Sequence, residues 1–317
     1  MCTYNGARFL EEQLASLLAQ SRPPDEVIVC DDGSSDSTVA LLRTFAAQSP
    51  FSVLLHENKD RLGSTKNFEQ AIRLCNGELI YLCDQDDIWD SEKISLTEAL
   101  FIANPNVSLV FTNADVVDKN ARSFGYTLWE TLRIDKTLKA RLQTSGGLEV
   151  LLERPIVTGA TMAFRSRFKD LVIPIPDDIS LIHDGWIALI LSLVGTFDLI
   201  DRPLLKYRQH DAQQLGAPDN RRLEPISGIH ENANRQNDFE SEIKKLETVC
   251  ERLQSNAHRH EFQHDEILRD RLSHLYQRLA ISKRKLSGVA LALDELLRGR
   301  YHRYSNGFHS LMKDLVK

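Results

Sequence analysis

Short apolar runs separated by amphipathic stretches organise the first 115 residues. Val27-Ile28-Val29-Cys30 is apolar at every position and ends in Asp31-Asp32-Gly33, the pattern of a strand buried on both faces. Phe51 to His56, Leu79 to Leu82 and Ser108 to Phe111 form further runs of this kind. Between the runs the period lengthens. Leu10, Leu14, Leu17 and Leu18 fall at i, i+4, i+7 and i+8 and predict a helix. Helices are also expected over Asp36 to Ala47, after a Ser34-Ser35 cap candidate, over Ser64 to Leu74 and over Glu92 to Ala103. Strand–helix alternation predicts an α/β fold with a mostly parallel sheet and right-handed crossovers.

The chain opens Met1-Cys2-Thr3-Tyr4-Asn5-Gly6 and passes into the first helix. A sheet of this kind begins with a strand, and only its last residues have room here. The expectation is a truncated first strand, or a start that lies upstream. Farther along, Val157 to Phe164 alternates like a strand, Pro174 and Pro176 mark a turn, Asp184 to Val194 reads as helix and Leu204 to Tyr207 as strand. Residues 211–237 are rich in Asn, Asp, Gln, Pro and Gly and read as loop. Only helix follows. Ile243, Leu246, Cys250 and Leu253 share one face, and Leu268, Leu272, Leu275 and Leu279 another. The organisation expected is an α/β domain over 1–215, a linker over 216–237 and a helical extension over 238–317.

Composition narrows the function classes. Of 317 residues 42% are hydrophobic, enough for one large or two ordinary cores. The formal net charge of -6 is uneven. Residues 1–220 carry 21 Lys+Arg against 31 Asp+Glu, whereas Ile267 to the end carries 11 against 4. An acidic front half argues against nucleic acid as a partner, since phosphate contacts need Lys and Arg, and it suits a site that recruits a cation. The five Cys include no CxxC pair, so a reducing cytoplasm is expected rather than a disulfide framework. No apolar stretch reaches the roughly 18 residues of a membrane span.

Cys83-Asp84-Gln85-Asp86-Asp87 places three carboxylates directly after a buried run. In an α/β fold the carboxyl ends of strands face the ligand crevice. Mg²⁺ takes one or two carboxylates together with substrate phosphates. The same residues also suit a solvated acidic turn or the cap of the helix after Trp89. Asp31-Asp32-Gly33-Ser34-Ser35-Asp36 follows another buried run; its carboxylates suit ribose hydroxyls or a base N–H, or merely a well-capped turn.

In order, Thr3-Tyr4-Asn5-Gly6, Val27 to Ser34, Asp84-Gln85-Asp86 running into Asp87-Ile88-Trp89, His183-Asp184-Gly185-Trp186 and Tyr207-Arg208-Gln209-His210 resemble the motifs of the family 2 glycosyltransferases. The resemblance covers roughly residues 1–215, and its nearest branch looks like the rhamnosyltransferase-type enzymes of surface-polysaccharide assembly. It implies the GT-A fold and inverting transfer of a sugar from a nucleotide-sugar, dTDP- or UDP-linked, to a glycan or lipid-linked acceptor. By the same resemblance Thr3, Tyr4 and Asp32 (or Asp31) hold the nucleoside, and Lys66, a looser match, contacts the diphosphate or the nucleoside. Asp84 contacts the ribose side, and Asp86 binds Mg²⁺ or Mn²⁺ on the diphosphate. Asp184 is the general base and His210 helps hold the diphosphate or the metal. The Gln-x-x-Arg-Trp signature of processive members is missing, which implies transfer of one sugar at a time. Two competing expectations are a catalytically inactive GT-A docking module and a nucleotidyltransferase. The latter should carry a Gly-rich phosphate loop, of which Asn5-Gly6-Ala7-Arg8 is a poor version.

The tail interleaves Arg298, Arg300, Arg303 and Lys313 with Tyr301, Tyr304, Phe308, Leu311 and Met312. That pattern fits a helix lying on anionic lipid, or equally one packed on protein. The expected localisation is cytoplasmic, with peripheral contact to the inner face of the plasma membrane.

Overall fold

The computed structural model describes residues 1–143, 147–211, 213, 235–255, 265–283 and 288–315. It divides into two compact units, Met1–Asp177 with Ile182–Glu224 and Asp178–Leu181 with Pro225–Lys317.

In the first unit β1 (Cys2–Thr3), α1 (Ala7–Leu18), β2 (Glu26–Asp31), α2 (Thr38–Gln48), β3 (Ser52–Glu57) and α3 (Ser64–Leu74) alternate. The three strands form a parallel sheet in the order β1-β2-β3. β2 is central and buried from Val27 to Asp31, as its unbroken apolar run requires, while β3 leaves its edge positions exposed or half-buried. Leu10, Leu14 and Leu17 of α1 pack with Val27 and Val29 of β2 and Leu42 and Phe45 of α2. Burial of each such side chain stabilises by about 1.5–3 kcal/mol.

The unit continues through β4 (Leu79–Tyr81), β5 (Ile88–Trp89), α4 (Lys93–Ala103), β6 (Val107–Val117), β7 (Ser123–Thr127), α5 (Leu128–Thr131), α6 (Lys136–Leu142), α7 (Gly147–Glu153), β8 (Met162–Arg165), α8 (Lys169–Val172), α9 (His183–Leu191) and β9 (Thr196–Arg208). A second sheet has the order β4-β8-β6-β9-β5, with β7 on β6. Only β6 and β9 are parallel in it; the other pairs run antiparallel. The tight Asp118–Arg122 turn joins β6 to β7, and a connection that short permits only antiparallel neighbours.

Three local expectations are corrected. The strand read from Val157 begins at Met162, because Gly159–Thr161 forms a 3-10 turn closed by Thr161 N–H and Oγ1 on the Thr158 carbonyl. The Leu204–Tyr207 run is the end of a 13-residue strand. The α2 terminus is served by Asp36, whose Oδ1 accepts from Thr38 N–H at 3.0 Å, while Ser34 Oγ is turned to Asp31. Of the expected linker, residues 216–234 lie outside the described residues.

The second unit is helical: α10 (Arg235–Ser255), α11 (Asp265–Lys283), α12 (Gly288–Leu297), α13 (Arg300–Tyr304) and α14 (Phe308–Leu315). Ile281, Ala292, Tyr301 and Leu311 form an apolar centre. Beside it Arg278 bonds Asp314 at 2.7 Å, and Glu295 receives both His274 Nδ1 at 2.6 Å and Arg300 at 2.8 Å. Among the described residues no helix is long and apolar enough to cross a membrane.

A half-open cavity lies in the first unit. Met1 N donates to the Ile28 carbonyl at 2.7 Å, and Cys2 N to the Cys83 carbonyl at 3.2 Å. On the Met1 side of that bridge, a cavity of about 430 Å³ separates β2 from β4, lined by Met1, Val27, Ile28, Leu79, Ile80 and Tyr81 among others. Joining about five to eight apolar, β-branched residues ahead of Met1, one strand's length, offers this cavity a strand and replaces a buried ammonium with an amide. A gain of about 2 kcal/mol is expected, raising Tm by roughly 4–8 °C for a domain of this size. Equal melting curves for the extended and original chains would show that the cavity does not accept a strand.

Candidate active site

The acidic turn follows β4 and is held from three sides. Gln85 Oε1 accepts Tyr4 N–H at 2.8 Å, and Gln85 Nε2 donates to the Tyr4 carbonyl at 3.1 Å. The side chain thus bonds the backbone after β1 as a neighbouring strand would. Gly6 makes room for it: a Cβ there would stand 2.1 Å from Gln85 Oε1. From β9, buried Arg208 donates Nε to the Asp86 carbonyl at 2.6 Å, Nη1 to the Lys119 carbonyl at 3.0 Å and Nη2 to Glu12 at 3.0 Å. Its own N–H reaches Asp87 Oδ1 at 3.1 Å. From the third side, Lys93 lies buried beneath the turn with its ammonium 4.2 Å from the Trp89 ring centroid.

The carboxylates feel one another. Burial first, then the charges of Asp86 and Asp184, push Asp84 up to about 7. Burial, then Asp86 and Asp84, raise Asp87 well above the usual carboxylate range, and its buried Oδ2 has no hydrogen-bond partner.

Asp86 and His210, expected to share a metal, are brought together: His210 Nε2 stands 2.7 Å from Asp86 Oδ2, with the imidazole on the Phe9 ring at 4.5 Å. One carboxylate and one imidazole suit a divalent cation whose remaining ligands are phosphate oxygens and water. Among the described residues no group of three or more His, Cys, Asp or Glu is arranged to hold an ion by itself.

Asp184 sits in the first turn of α9, close enough to Asp84 to raise its pKa. Asp184 Oδ2 accepts from Gly159 N–H at 3.1 Å and Oδ1 from Gly185 N–H at 2.6 Å. Neighbouring His183 is buried, stacks on Phe68 at 4.2 Å and is pushed below its ordinary pKa by burial. Trp186 is a packing residue whose Nε1 donates to the Val172 carbonyl.

The other expected residues form a second group around the end of β2. Thr3 Oγ1 donates to Asp31 Oδ1 at 2.7 Å, and the same carboxylate accepts Ser34 Oγ and N–H. Asp32 accepts from Asn58 Nδ2, Leu62 N–H and Gly63 N–H, which fixes the loop ahead of α3. Asn58 also donates to Asn67, beside Lys66. The Lys66 ammonium itself bonds Glu69 and the Ile175 carbonyl. Tyr4 carries the Arg61 guanidinium 3.8 Å from its ring centroid.

The sequence reading assigned no role to Gln85, Lys93, Arg61 or Arg208. Gln85 and Arg208 carried a signal, because each stands inside a motif; Lys93 and Arg61 act through contacts with residues distant in the chain.

With this geometry in hand, the comparisons define the class. The glycosyl transferase family 2 model matches residues 1–170, and the chain belongs to that family. It is a glycosyltransferase. It is 30% identical over 229 residues to the dTDP-rhamnosyl transferase RfbG of Shigella flexneri, covering 68% of this chain and 74% of that protein. It is 26% identical over 191 residues to the UDP-Glc:alpha-D-GlcNAc-diphosphoundecaprenol beta-1,3-glucosyltransferase WfgD of Escherichia coli, covering 59% and 73%. Among solved structures, S. aureus TarS 1–349 in complex with UDP-GlcNAc aligns with TM-score 0.56 and 16% identity over 99% of this chain and 80% of that one. The mannosyltransferase PcManGT of Pyrobaculum calidifontis, in complex with GDP-Man and Mn2+, aligns with TM-score 0.50 and 19% identity over 100% and 84%. These likenesses carry the GT-A fold.

The raised pKa of Asp84 sets a pH dependence. A carboxyl held at about 7 in the fold, against an ordinary 3.8, contributes its full stability below the ordinary value and loses it as pH rises through 7. The metal-free protein is therefore expected to melt at lower temperature at pH 8 than at pH 5. Asp84→Asn should flatten that slope. A slope identical in the two proteins would take Asp84 out of the strained cluster.

Proposed function

We propose that this chain transfers a single sugar, with inversion, from a dTDP- or UDP-linked donor to an acceptor hydroxyl, using Mg²⁺ or Mn²⁺, in the assembly of a bacterial surface polysaccharide. The observation that carries the reading is the convergence of Asp84, Asp86, Asp184 and His210 after β4 in a family 2 chain.

Asp86 and His210 would hold the metal, which when bound stabilises charge on the departing diphosphate. Asp84 faces the ribose. Thr3, Tyr4, Asp31 and Asp32 bind the nucleoside, Asp31 and Asp32 by shaping the backbone that meets it, and Lys66 lies toward the diphosphate. Asp184 removes the proton of the acceptor hydroxyl as the new bond forms. It is an acceptor on both oxygens, held by two backbone N–H groups, so it is oriented before substrate arrives. One base and direct displacement give inversion.

The dTDP- or UDP-linked donor draws on the activities of RfbG and WfgD, and a lipid-linked acceptor on that of WfgD; the polysaccharide setting is what the resemblance to the rhamnosyltransferase branch implies. Contact with the inner face of the plasma membrane through the C-terminal helices fits that acceptor, and a cytoplasmic site with it. In support, Val289, Leu293 and Leu297 of α12 and Phe308 and Met312 of α14 are exposed apolar side chains. The Glu295 and Asp314 carboxylates of the same helices are buried.

The decisive experiment incubates the protein with a panel of nucleotide-sugars and Mn²⁺ or Mg²⁺ and identifies products by mass spectrometry. Asp86→Ala is expected to abolish metal-dependent transfer without loss of Tm, because it relieves a crowded carboxylate cluster. Full activity with an unaltered metal titration would remove Asp86 from the metal site. Asp184→Asn is expected to lower kcat by about 10²–10⁴-fold with donor affinity little changed. Collapse of donor affinity at unchanged kcat would make Asp184 a binding residue instead.

A further inference from the structure

Lys93 is a fully buried lysine at the start of α4, 1% exposed, in a unit that has no obvious need of one. Burial pulls its pKa down to about 8, against the opposing pull of Cys83, Asp87 and Asp84. Keeping an ammonium in such a place is costly unless its bonds matter. The hydrogen bond that it makes is to the Ala160 carbonyl at 2.5 Å.

Ala160 is the middle residue of the 3-10 turn Gly159–Thr161. The same turn presents Gly159 N–H to Asp184 Oδ2 at 3.1 Å. Its Gly159 leaves no spare room: a Cβ there would stand 3.2 Å from His183 Nε2 and 3.4 Å from Asp184 Cβ. A chain of contacts therefore runs from the Lys93 ammonium, through the backbone of one short turn, to the carboxylate assigned as base.

We infer that Lys93 is a positioning residue for Asp184, acting by anchoring the Gly159–Thr161 turn, and not simply a counter-charge to the acidic cluster. The inference rests on the reading of Asp184 as the base. The two roles for Lys93 differ in what they require. A counter-charge needs only a cation in roughly that place. A positioning role needs an ammonium of this reach on this carbonyl, and it must be coupled to Gly159.

The test compares Lys93→Met, Lys93→Arg, Gly159→Ala and the Lys93→Met/Gly159→Ala double variant in the metal-loaded transfer assay, with Tm measured for each. A base displaced by up to an ångström loses about 10- to 100-fold in rate. Each single variant is expected to lose kcat on that scale with donor KM within about twofold, since the donor-binding residues are untouched. Because Lys93 and Gly159 act through one turn, the double variant should be no slower than the slower single; independent losses would multiply. Wild-type kcat in Lys93→Met, full kcat in Lys93→Arg beside a slow Lys93→Met, or multiplying losses would each overturn the inference. If Lys93→Met does not fold, Lys93→Arg and Gly159→Ala and their combination carry the same comparison. Failure of the base reading appears separately, as an Asp184→Asn enzyme with unchanged kcat.

Discussion

Crowding carboxylates into a partly buried turn after β4 is the constraint on which the rest of the catalytic unit depends. Like charges at short range in a low-dielectric setting repel strongly, and the fold answers with neutral or cationic partners on every side. Gln85 bonds the turn to the backbone after β1. Arg208 reaches from the end of β9 to the Asp86 carbonyl and to Glu12 of α1. Lys93 underlies it from α4. Elements far apart in the chain are thus committed to one small region, and Gln85 and Arg208 would lose polar partners if the turn moved. Burial first, and then the repulsion that remains uncompensated, raise the pKa values of Asp84 and Asp87, and a bound cation would relieve the repulsion.

The two acidic strand ends solve different problems. After β2, Asp31 and Asp32 accept hydrogen bonds from Thr3, Ser34, Asn58, Leu62 and Gly63. These carboxylates organise loops, and their charge is dispersed over N–H and O–H donors. After β4 the donors are fewer, and the charge is left available to a ligand. The division follows from local geometry: the Asp31–Ser34 turn folds its amides back onto the carboxylate, whereas the Asp84–Asp87 turn opens directly into β5.

The helical unit follows a related rule. The excess of Lys and Arg from Ile267 to the end suggests a uniformly positive surface there, yet Arg278 is turned inward to Asp314 and Arg300 to Glu295. His274, also bonded to Glu295, is held below its ordinary pKa chiefly by burial. Buried ion pairs of this kind add little net stability over apolar packing, but removing one partner is costly. They tie α11, α12, α13 and α14 to one arrangement.

Much of this was legible in the sequence. The unbroken apolar run Val27–Cys30 between turn residues pointed to a strand covered on both faces, and the leucine spacing of α1 to a helical stripe, so the α/β class followed from the alternation of the two periods. Yet β3, a run of the same kind, is exposed or half-buried throughout, and Leu18 of the stripe is exposed. The acidic motifs at strand ends, and His183-Asp184 ahead of an apolar helix, were likewise readable, because the chemistry needs those residue types in a short span. Tertiary structure decided the rest. No local pattern says that Gln85 will bond Tyr4, that Lys93 will reach Ala160, or that His210 will meet Asp86 across 124 positions. The second sheet's mixed order depends on which strands meet, and the strand expected at Val157 yields to the Gly159–Thr161 turn, whose Gly159 N–H meets Asp184 of a distant helix. Periodicity reports which face of an element is buried. Only the folded chain reports what that face is buried against.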